Sequence, residues 1–134
     1  MDAPIWVVSI DEDLREGLCH VLATDGYPVA TFESEASALQ MLEMHGPPPQ
    51  LIFLVVGTFD LAMRVCDQAH GTGIHVALLD PFFKLSLQPR LIGADHYIVP
   101  PYTPDSIVDF ARHVVSYRIR VNDVGLTPPP SPTP

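Results

Sequence analysis

The sequence predicts an α/β domain built on a parallel sheet, and three observations support this prediction. Five short apolar runs recur along the chain, with segments of helical period between them. The runs are apolar on both faces, as strands are when helices cover both sides of a parallel sheet. The chain has 134 residues, of which 47% are hydrophobic. That length and composition suit one packed core and exclude wholesale disorder.

The first half of the chain alternates between strand and helix. We predict strands over Ile5–Ile10 and Tyr27–Phe32, where apolar and β-branched residues cluster. Asp11 and Ser34 are each placed to cap the helix that follows, because their side-chain oxygens can accept a backbone N–H of its first turn. Gly46 and the three prolines after it end the second helix.

The second half of the chain continues the alternation. Leu51–Val56 is apolar at every position and is therefore predicted to be a central strand. Prolines interrupt the segment 81–92, so we expect any helix there to be short or distorted. The remaining predicted elements are a helix over Asp60–Ala69, strands over Ile74–Leu79 and Asp95–Val99, and a C-terminal helix that Thr103 caps with Pro104 at its first position.

The alternation implies a three-layer α/β/α domain over residues 1–120. A glycine-rich turn after the first strand would favour nucleotide binding, but neither Gly-x-Gly-x-x-Gly nor Gly-x-x-x-x-Gly-Lys-Ser/Thr occurs. The sequence therefore predicts a flavodoxin-like five-stranded parallel sheet of order 2-1-3-4-5, with its functional crevice at the carboxyl ends of the first and third strands. Residues 121–134 end in Thr-Pro-Pro-Pro-Ser-Pro-Thr-Pro, which favours a stiff linker or tail leading to a further domain.

Charge and hydropathy argue against two classes of partner. Seven basic side chains against 16 acidic ones give a net charge of −9, which repels nucleic-acid phosphates. Residues 1–43 hold nine of these acids and one base, a net of −8. No apolar run reaches the roughly 18 residues of a membrane span, and the first residues lack the pattern of a secretion signal. We therefore expect a cytoplasmic protein that binds neither nucleic acid nor membrane through this domain.

The cysteine and histidine patterns predict no metal or cofactor site. Cys19 and Cys66 are too few for a disulfide framework and are expected to be packed thiols. The six histidines form neither a pair four residues apart nor a cluster with cysteine, so zinc is not expected. Asp11 and Asp80 are two carboxylates without a third ligand, which makes a poor cation site.

Three stretches resemble the receiver domain of two-component response regulators. Residues 5–18 (Ile-Trp-Val-Val-Ser-Ile-Asp-Glu-Asp-Leu-Arg-Glu-Gly-Leu) are similar to the first strand and helix of that family. Residues 49–56 (Pro-Gln-Leu-Ile-Phe-Leu-Val-Val) are similar to its third strand. Residues 93–102 (Gly-Ala-Asp-His-Tyr-Ile-Val-Pro-Pro-Tyr) are similar to its fifth strand and are the most specific of the three. The resemblance implies a signalling domain rather than an enzyme.

The resemblance also implies a reaction centre that this chain has lost. Receivers accept a phosphoryl group on an aspartate at the end of the third strand, beside Mg²⁺ held by an acidic pair. A Ser or Thr after the fourth strand and a Lys after the fifth support the phosphoryl group. These positions fall, in chain order, on Ser9 and Ile10 for the acidic pair, Val55 for the acceptor, Asp80 for Ser/Thr and Pro100 for Lys. The resemblance thus implies a non-phosphorylatable pseudo-receiver without catalytic residue, metal or cofactor.

A switch pair is implied by the same resemblance. In the family, an aromatic residue on the fifth strand couples to the Ser/Thr after the fourth, and these positions fall on Tyr97 and Asp80. We expect the Tyr97 hydroxyl to donate to the Asp80 carboxylate, in a charge-assisted bond worth roughly 1.5–3 kcal/mol. Such a bond would hold the domain in one signalling state. The alternative is a half-buried Tyr97 whose hydroxyl lies in water.

Three functions remain open. The favoured one is a protein-interaction or dimerisation module of a transcriptional regulator, because the first half resembles receivers that carry a helix-turn-helix output. Its partner is another protein or a second copy, bound by a face that comprises Phe82, Phe83, Asp95, Tyr97, Asp105, Asp109, Arg112 and Arg118. The second function is a small-molecule sensor with its ligand in the crevice around Ile10, Val55 and Pro100. The third is a cryptic phosphoacceptor or enzyme that uses Asp11 or Asp80.

Overall fold

The computed structural model describes residues 3–55, 57–80, 93–98 and 100–124, with backbone alone for residues 59 and 116–124. Its strands are β1 (Ile5–Val8), β2 (Val29–Phe32), β3 (Leu51–Val55), β4 (His75–Leu79) and β5 (His96–Ile98). Its helices are α1 (Glu12–Thr24), α2 (Glu35–Glu43), α3 (Phe59–His70) and the C-terminal α4 (Pro104–Val124). All strand pairs are parallel, and the order is β2-β1-β3-β4-β5. The predicted flavodoxin-like sheet is confirmed.

Helices cover both faces of the sheet, because alternate residues of each strand point to opposite sides. On one face, Ile52 and Leu54 of β3 belong to a core that includes buried residues of α2 and α3. On the other face, Leu51, Phe53 and Val55 belong to a core that includes buried residues of α1 and α4. The domain therefore has three layers, with β3 at the centre and buried along its whole length.

The three predicted helix caps are confirmed. Asp11 Oδ1 accepts the N–H of Leu14 at 3.1 Å at the start of α1. Ser34 Oγ accepts a first-turn N–H at 3.1 Å at the start of α2. At α4, Thr103 Oγ1 accepts the N–H of Ser106 at 3.1 Å, and Ser106 Oγ accepts the N–H of Thr103 at 2.8 Å. Local side-chain chemistry thus sets where these helices begin.

Some element boundaries differ from the predicted ones. β1 ends at Val8 rather than Ile10, because the Ser9 side chain bonds the backbone of Asp11 and turns the chain. β2 begins after Pro28, which has no N–H to give to a strand ladder.

At the C-terminus, α4 runs to Val124, four residues beyond the predicted end of the domain at residue 120. No glycine or proline interrupts it after its first residue, so nothing in the local sequence stops the helix earlier. The segment 81–92, for which a short or distorted helix was predicted, lies outside the described residues. Within the described ranges, no helix is long and apolar enough to cross a membrane.

Candidate functional site

A cavity of about 750 Å³ opens at the carboxyl ends of β1 and β3, where a crevice is expected in this sheet order. It lies between the first turns of α1 and α2 and the loop that connects β3 to α3. Its described lining combines apolar, hydroxyl-bearing and acidic residues: Val8, Ser9, Ile10, Asp11, Asp13, Leu14, Ser34, Glu35, Val55, Gly57, Thr58, Leu61 and Tyr102. Three of the five predicted pocket residues, Ser9, Ile10 and Val55, are therefore brought together.

Ser9 and Ile10 follow β1 and present opposite environments. Ser9 is buried, and its hydroxyl donates to the Asp11 carbonyl at 3.2 Å and accepts the Asp11 N–H at 3.0 Å. The Arg15 guanidinium donates to the Ser9 carbonyl at 2.8 Å. Ile10, by contrast, lines the cavity and is 81% exposed. Ile10 thus presents an apolar side chain to the cavity, while the hydroxyl of the neighbouring Ser9 is hydrogen-bonded to the loop backbone.

Val55 ends the central strand and pairs in register with Leu79 of β4. It is 7% exposed and lies in the cavity wall. A valine side chain has no atom that can act as a nucleophile or bind a cation. The tip of β3 is therefore chemically inert at this position.

Glu35 is a site residue that the sequence analysis missed. It begins α2, is 6% exposed, and its Oε1 accepts the N–H of Thr58 at 2.9 Å. A Cβ on Gly57 would lie 2.7 Å from the same oxygen, so the approach of Glu35 depends on a glycine there. The carboxylate thereby ties the start of α2 to the loop that leads into α3. A glutamate after a Ser cap indicates a helix start, and no local signal marks its burial.

Asp80 and Tyr97 meet as the sequence analysis expected. The Tyr97 hydroxyl donates to Asp80 Oδ2 at 2.7 Å, and Asp80 is fully buried just after β4. The backbone N–H of Asp80 donates to the carbonyl of Ile98 at 3.0 Å, which fixes the carboxylate against β5. Burial, followed by the hydrogen bond to Asp80, raises the pKa of Tyr97 to about 12. The phenol is therefore a neutral donor at physiological pH.

Pro100 and Tyr102 follow β5. Tyr102 is a second lining residue that the sequence analysis missed, and burial together with the charge of Asp80 raises the pKa of its phenol. Pro100 and Asp80 are not among the described lining residues. Two members of the predicted pocket are thus not part of the described cavity wall.

Two described members of the predicted interaction face, Asp95 and Arg112, make contacts within the chain. Asp95 Oδ2 lies 3.1 Å from Nε2 of His70 at the end of α3, and it also accepts the N–H of Val76 at 2.8 Å. Arg112 forms a hydrogen bond within the chain. Its Nε donates to Asp25 Oδ2 at 2.9 Å and connects α4 to the end of α1. This hydrogen bond lowers the pKa of Asp25.

The other members of that face differ in how far the structure describes them. Asp105 and Asp109 are exposed on α4, and an Arg112 guanidinium nitrogen lies 3.5 Å from Asp109. Phe82 and Phe83 lie outside the described residues, and for Arg118 the description is of backbone alone.

Metal and thiol chemistry find little support in the described part of the chain. No three His, Cys, Asp or Glu side chains converge there in a way that could hold a metal ion. Cys66 is fully buried, and burial raises the pKa of its thiol to about 12, so it stays protonated. His96 stacks on His75 and packs edge-on against Phe110, and burial followed by the charge of His75 lowers its pKa.

Comparisons with known proteins address the family. The chain is 26% identical to response regulator MprA from Mycobacterium tuberculosis, in an alignment of 142 positions that covers 96% of the chain and 61% of MprA. The CheY-like receiver domain protein from Methanospirillum hungatei superposes with a TM-score of 0.73 at 16% identity, over 90% of this chain and 98% of that one. Over most of its length the chain is similar to a response regulator, and it shares the fold of receiver domains.

A second solved structure agrees with the receiver fold. The chemotaxis response regulator CheY4 of Vibrio cholerae superposes with a TM-score of 0.69 at 19% identity, over 85% of this chain and 99% of that one. At these identities the likeness to the solved structures concerns the fold. No family model matches the chain. The chain spans about three fifths of the length of the curated relative it matches.

The Tyr97–Asp80 hydrogen bond yields a testable prediction for the stability of the domain. Tyr97→Phe removes the hydroxyl and keeps the ring, so a fully buried carboxylate loses a donor. We expect the free energy of unfolding to fall by about 1.5–3 kcal/mol, measured as a lower urea midpoint at unchanged slope. Tyr27→Phe, at the opposite edge of the sheet, is the matched control, and an equal loss in both variants would contradict the assignment.

The same comparison should depend on pH. Because the folded-state pKa of Tyr97, about 12, lies above its ordinary value of 10.0, the stabilisation is fully present below pH 10.0. It is lost as the pH rises toward 12, so wild type and Tyr97→Phe should converge in stability over that window. Ultraviolet titration of tyrosinate should show one late-titrating group in wild type that the variant lacks.

Proposed function

We propose that this receiver domain signals without phosphorylation, as a module that docks on another protein. The observation that carries the proposal is Val55 at the tip of β3, the position where the family's resemblance places the phosphoacceptor aspartate. Because the Val55 side chain is a hydrocarbon, it provides no nucleophile that could attack a phosphoryl donor. Receiver domains of response regulators are signalling modules that interact with other proteins, and this function needs no chemistry at the strand tip.

The surroundings of Val55 support the same conclusion. Ile10 stands where a carboxylate would hold Mg²⁺. The Ser9 hydroxyl is hydrogen-bonded to the backbone of Asp11. The acids that do line the cavity, Asp13 and Glu35 among them, would repel the oxygens of a phosphoryl group. The resident groups therefore oppose phosphoryl transfer by charge as well as by the absence of a nucleophile at Val55.

Asp80 and Tyr97 supply a means of holding one signalling state. The tyrosine ring packs against the core on the α2 and α3 side while its hydroxyl bonds Asp80 at 2.7 Å. Outward rotation of Tyr97 would break that bond and leave the buried carboxylate without this donor. The bond thus biases the domain toward the inward state without a phosphoryl group.

The docking surface is proposed to include β5 and the exposed acids of α4, Asp105 and Asp109, together with residues of the segment 81–92. Arg112 is left out, because its guanidinium already pairs with Asp25. The partner is a second copy or another protein. The chain spans 61% of MprA, and we propose that the whole protein is a transcriptional regulator in which this domain precedes an output domain.

A second candidate function is ligand sensing, and the specific observation that favours it is the cavity itself. A volume of about 750 Å³ falls within the usual range of small-molecule sites, roughly 300–1,000 Å³. A ligand there would contact the first turns of α1 and α2 and the β3–α3 loop at once. Its binding would then change how these segments sit at the edge of the sheet.

Phosphorylation is tested directly by incubating the chain with acetyl phosphate and Mg²⁺. We expect no phosphoryl adduct in the intact mass, and no change in the fluorescence of Trp6, because Val55 and Ile10 provide neither nucleophile nor cation site. A receiver that retains the acceptor aspartate, treated in parallel, shows that the donor is active. An adduct on Asp11 or Asp80 would overturn the proposal in favour of a cryptic phosphoacceptor.

The single-state proposal is tested by backbone relaxation dispersion, which detects exchange on the microsecond to millisecond timescale. We expect little exchange in wild type, and new exchange at β4, β5 and residues 100–103 in Tyr97→Phe, because the aromatic ring is then released from Asp80. Tyr27→Phe should behave as wild type. Identical dispersion profiles in all three proteins would refute the role of the pair.

Self-association is tested by light scattering over a range of protein concentrations. If the partner is a second copy, the mass should rise from one chain toward two, and Asp105→Lys should shift the transition by altering the charge of the docking surface. Asp60→Lys, a matched change on α3, should leave it unchanged. A mass of one chain throughout would exclude the homodimer and assign the surface to a different protein.

A further inference from the structure

Apolar side chains line much of the cavity at the carboxyl end of the sheet. Leu14, Leu61 and Val55 line it together with the ring of Tyr102. Ile10 stands at the same cavity with 81% of its surface exposed, the highest fraction among the large hydrophobic residues of the described chain. An exposed isoleucine beside a concave apolar wall is surface that a bound molecule would bury. The body of the ligand should therefore be apolar.

The charged side chains of the described cavity lining are all acidic. This described lining includes the carboxylates of Asp11, Asp13 and Glu35 and contains no Lys, Arg or His. Arg15 donates to the Ser9 carbonyl from outside this lining. A charge partly shielded from water interacts more strongly with a counter-charge than one at an open surface. An anionic ligand is therefore disfavoured, and a cation is favoured.

The most deeply placed of these carboxylates is held in position before any ligand arrives. Glu35 is 6% exposed, and the N–H of Thr58 donates to its Oε1 at 2.9 Å. Gly57 allows this close approach, since a Cβ there would lie 2.7 Å from the oxygen. A group that is already ordered costs less conformational freedom on binding. Glu35 thus supplies a fixed negative charge at an apolar wall.

From these three observations we infer that the cavity binds a small organic cation with an apolar body, such as an aryl-alkyl amine. The inference rests on the second candidate function above, and it names the ligand class. The ammonium group would face Glu35 and Asp13, and the apolar body would cover Ile10 and Leu61. A bare metal ion fits less well, because no three ligating side chains converge in the described part of the chain.

The test uses three probes that separate charge from apolar surface. Naphthylethylamine carries both features, naphthylacetate keeps the ring system but reverses the charge, and ethylammonium keeps the charge without the ring system. By calorimetry on the full chain, we expect the amine to bind at least about tenfold more tightly than naphthylacetate, and ethylammonium to show no measurable binding. Amide chemical shifts should move at Ile10, Leu14 and Leu61.

Matched variants locate the site. Asp13→Asn should weaken the amine several-fold, whereas Asp60→Asn, the equivalent acid in the first turn of α3, should not. Ile10→Ser should weaken it as well, whereas Met44→Ser, an exposed methionine away from the cavity, should not. Glu35→Gln keeps an oxygen acceptor for Thr58 and removes the charge, and it should reduce the preference for the amine over naphthylacetate.

The outcomes separate this inference from the function on which it rests. If naphthylacetate binds in the cavity as tightly as the amine, the cationic ligand class is wrong and ligand sensing stands. If neither naphthylethylamine nor naphthylacetate binds, the cationic ligand class and ligand sensing by this cavity are both wrong. If the amine binds but the shifts map to another surface, or if all four control and cavity substitutions at positions 10, 13, 44 and 60 behave alike, the cavity assignment is overturned.

Discussion

Burial of β3 on both faces is the constraint from which the architecture follows. Every residue of Leu51–Val55 is at most 7% exposed, so helices must cover both sides of the sheet. Parallel strands with helical crossovers satisfy that requirement, and they place the carboxyl ends of β1 and β3 side by side. The crevice at this edge is thus a consequence of topology. What the crevice can do depends on the few side chains that the strand ends present.

Those side chains give the crevice a chemistry unlike that of a phosphoryl-transfer site. Phosphoryl transfer needs a nucleophile and positive charge to offset the phosphoryl oxygens. Here Val55 supplies hydrocarbon, Ile10 exposes more of it, and the charged groups of the described lining are acids. The same combination suits a molecule or a partner that brings its own apolar surface and positive charge. The described lining of the crevice thus places apolar surface beside acidic side chains.

Asp80 connects this edge to β5. A buried carboxylate is costly unless it is hydrogen-bonded, and the Tyr97 hydroxyl and the sheet backbone around Ile98 hold it in place. Its charge reaches the phenol of Tyr102, which lines the cavity. Tyr97 and Tyr102 are thus both influenced by one buried carboxylate.

Local patterns in the sequence were enough for the strands and for the helix caps at Asp11 and Ser34. Each of these depends on side chains within a few residues of one another, such as a cap oxygen and the N–H three positions ahead. The strand order joins distant parts of the chain, and it was predicted from the fold class that the alternation of strands and helices implies. The proximity of Asp80 and Tyr97 was also predicted, because the resemblance to receivers placed both at neighbouring strands.

Other features depend on contacts between distant parts of the chain. Glu35 meets Thr58 across 23 residues, and Arg112 meets Asp25 across 87. A sequence shows that a residue is acidic or basic, but burial and pairing depend on which elements the fold packs together. The sequence by itself determined the sheet and the absence of a nucleophile at Val55. The tertiary structure decided that the Arg112 side chain pairs with Asp25, that Glu35 is buried, and that the described lining of the crevice carries acidic side chains and no basic one.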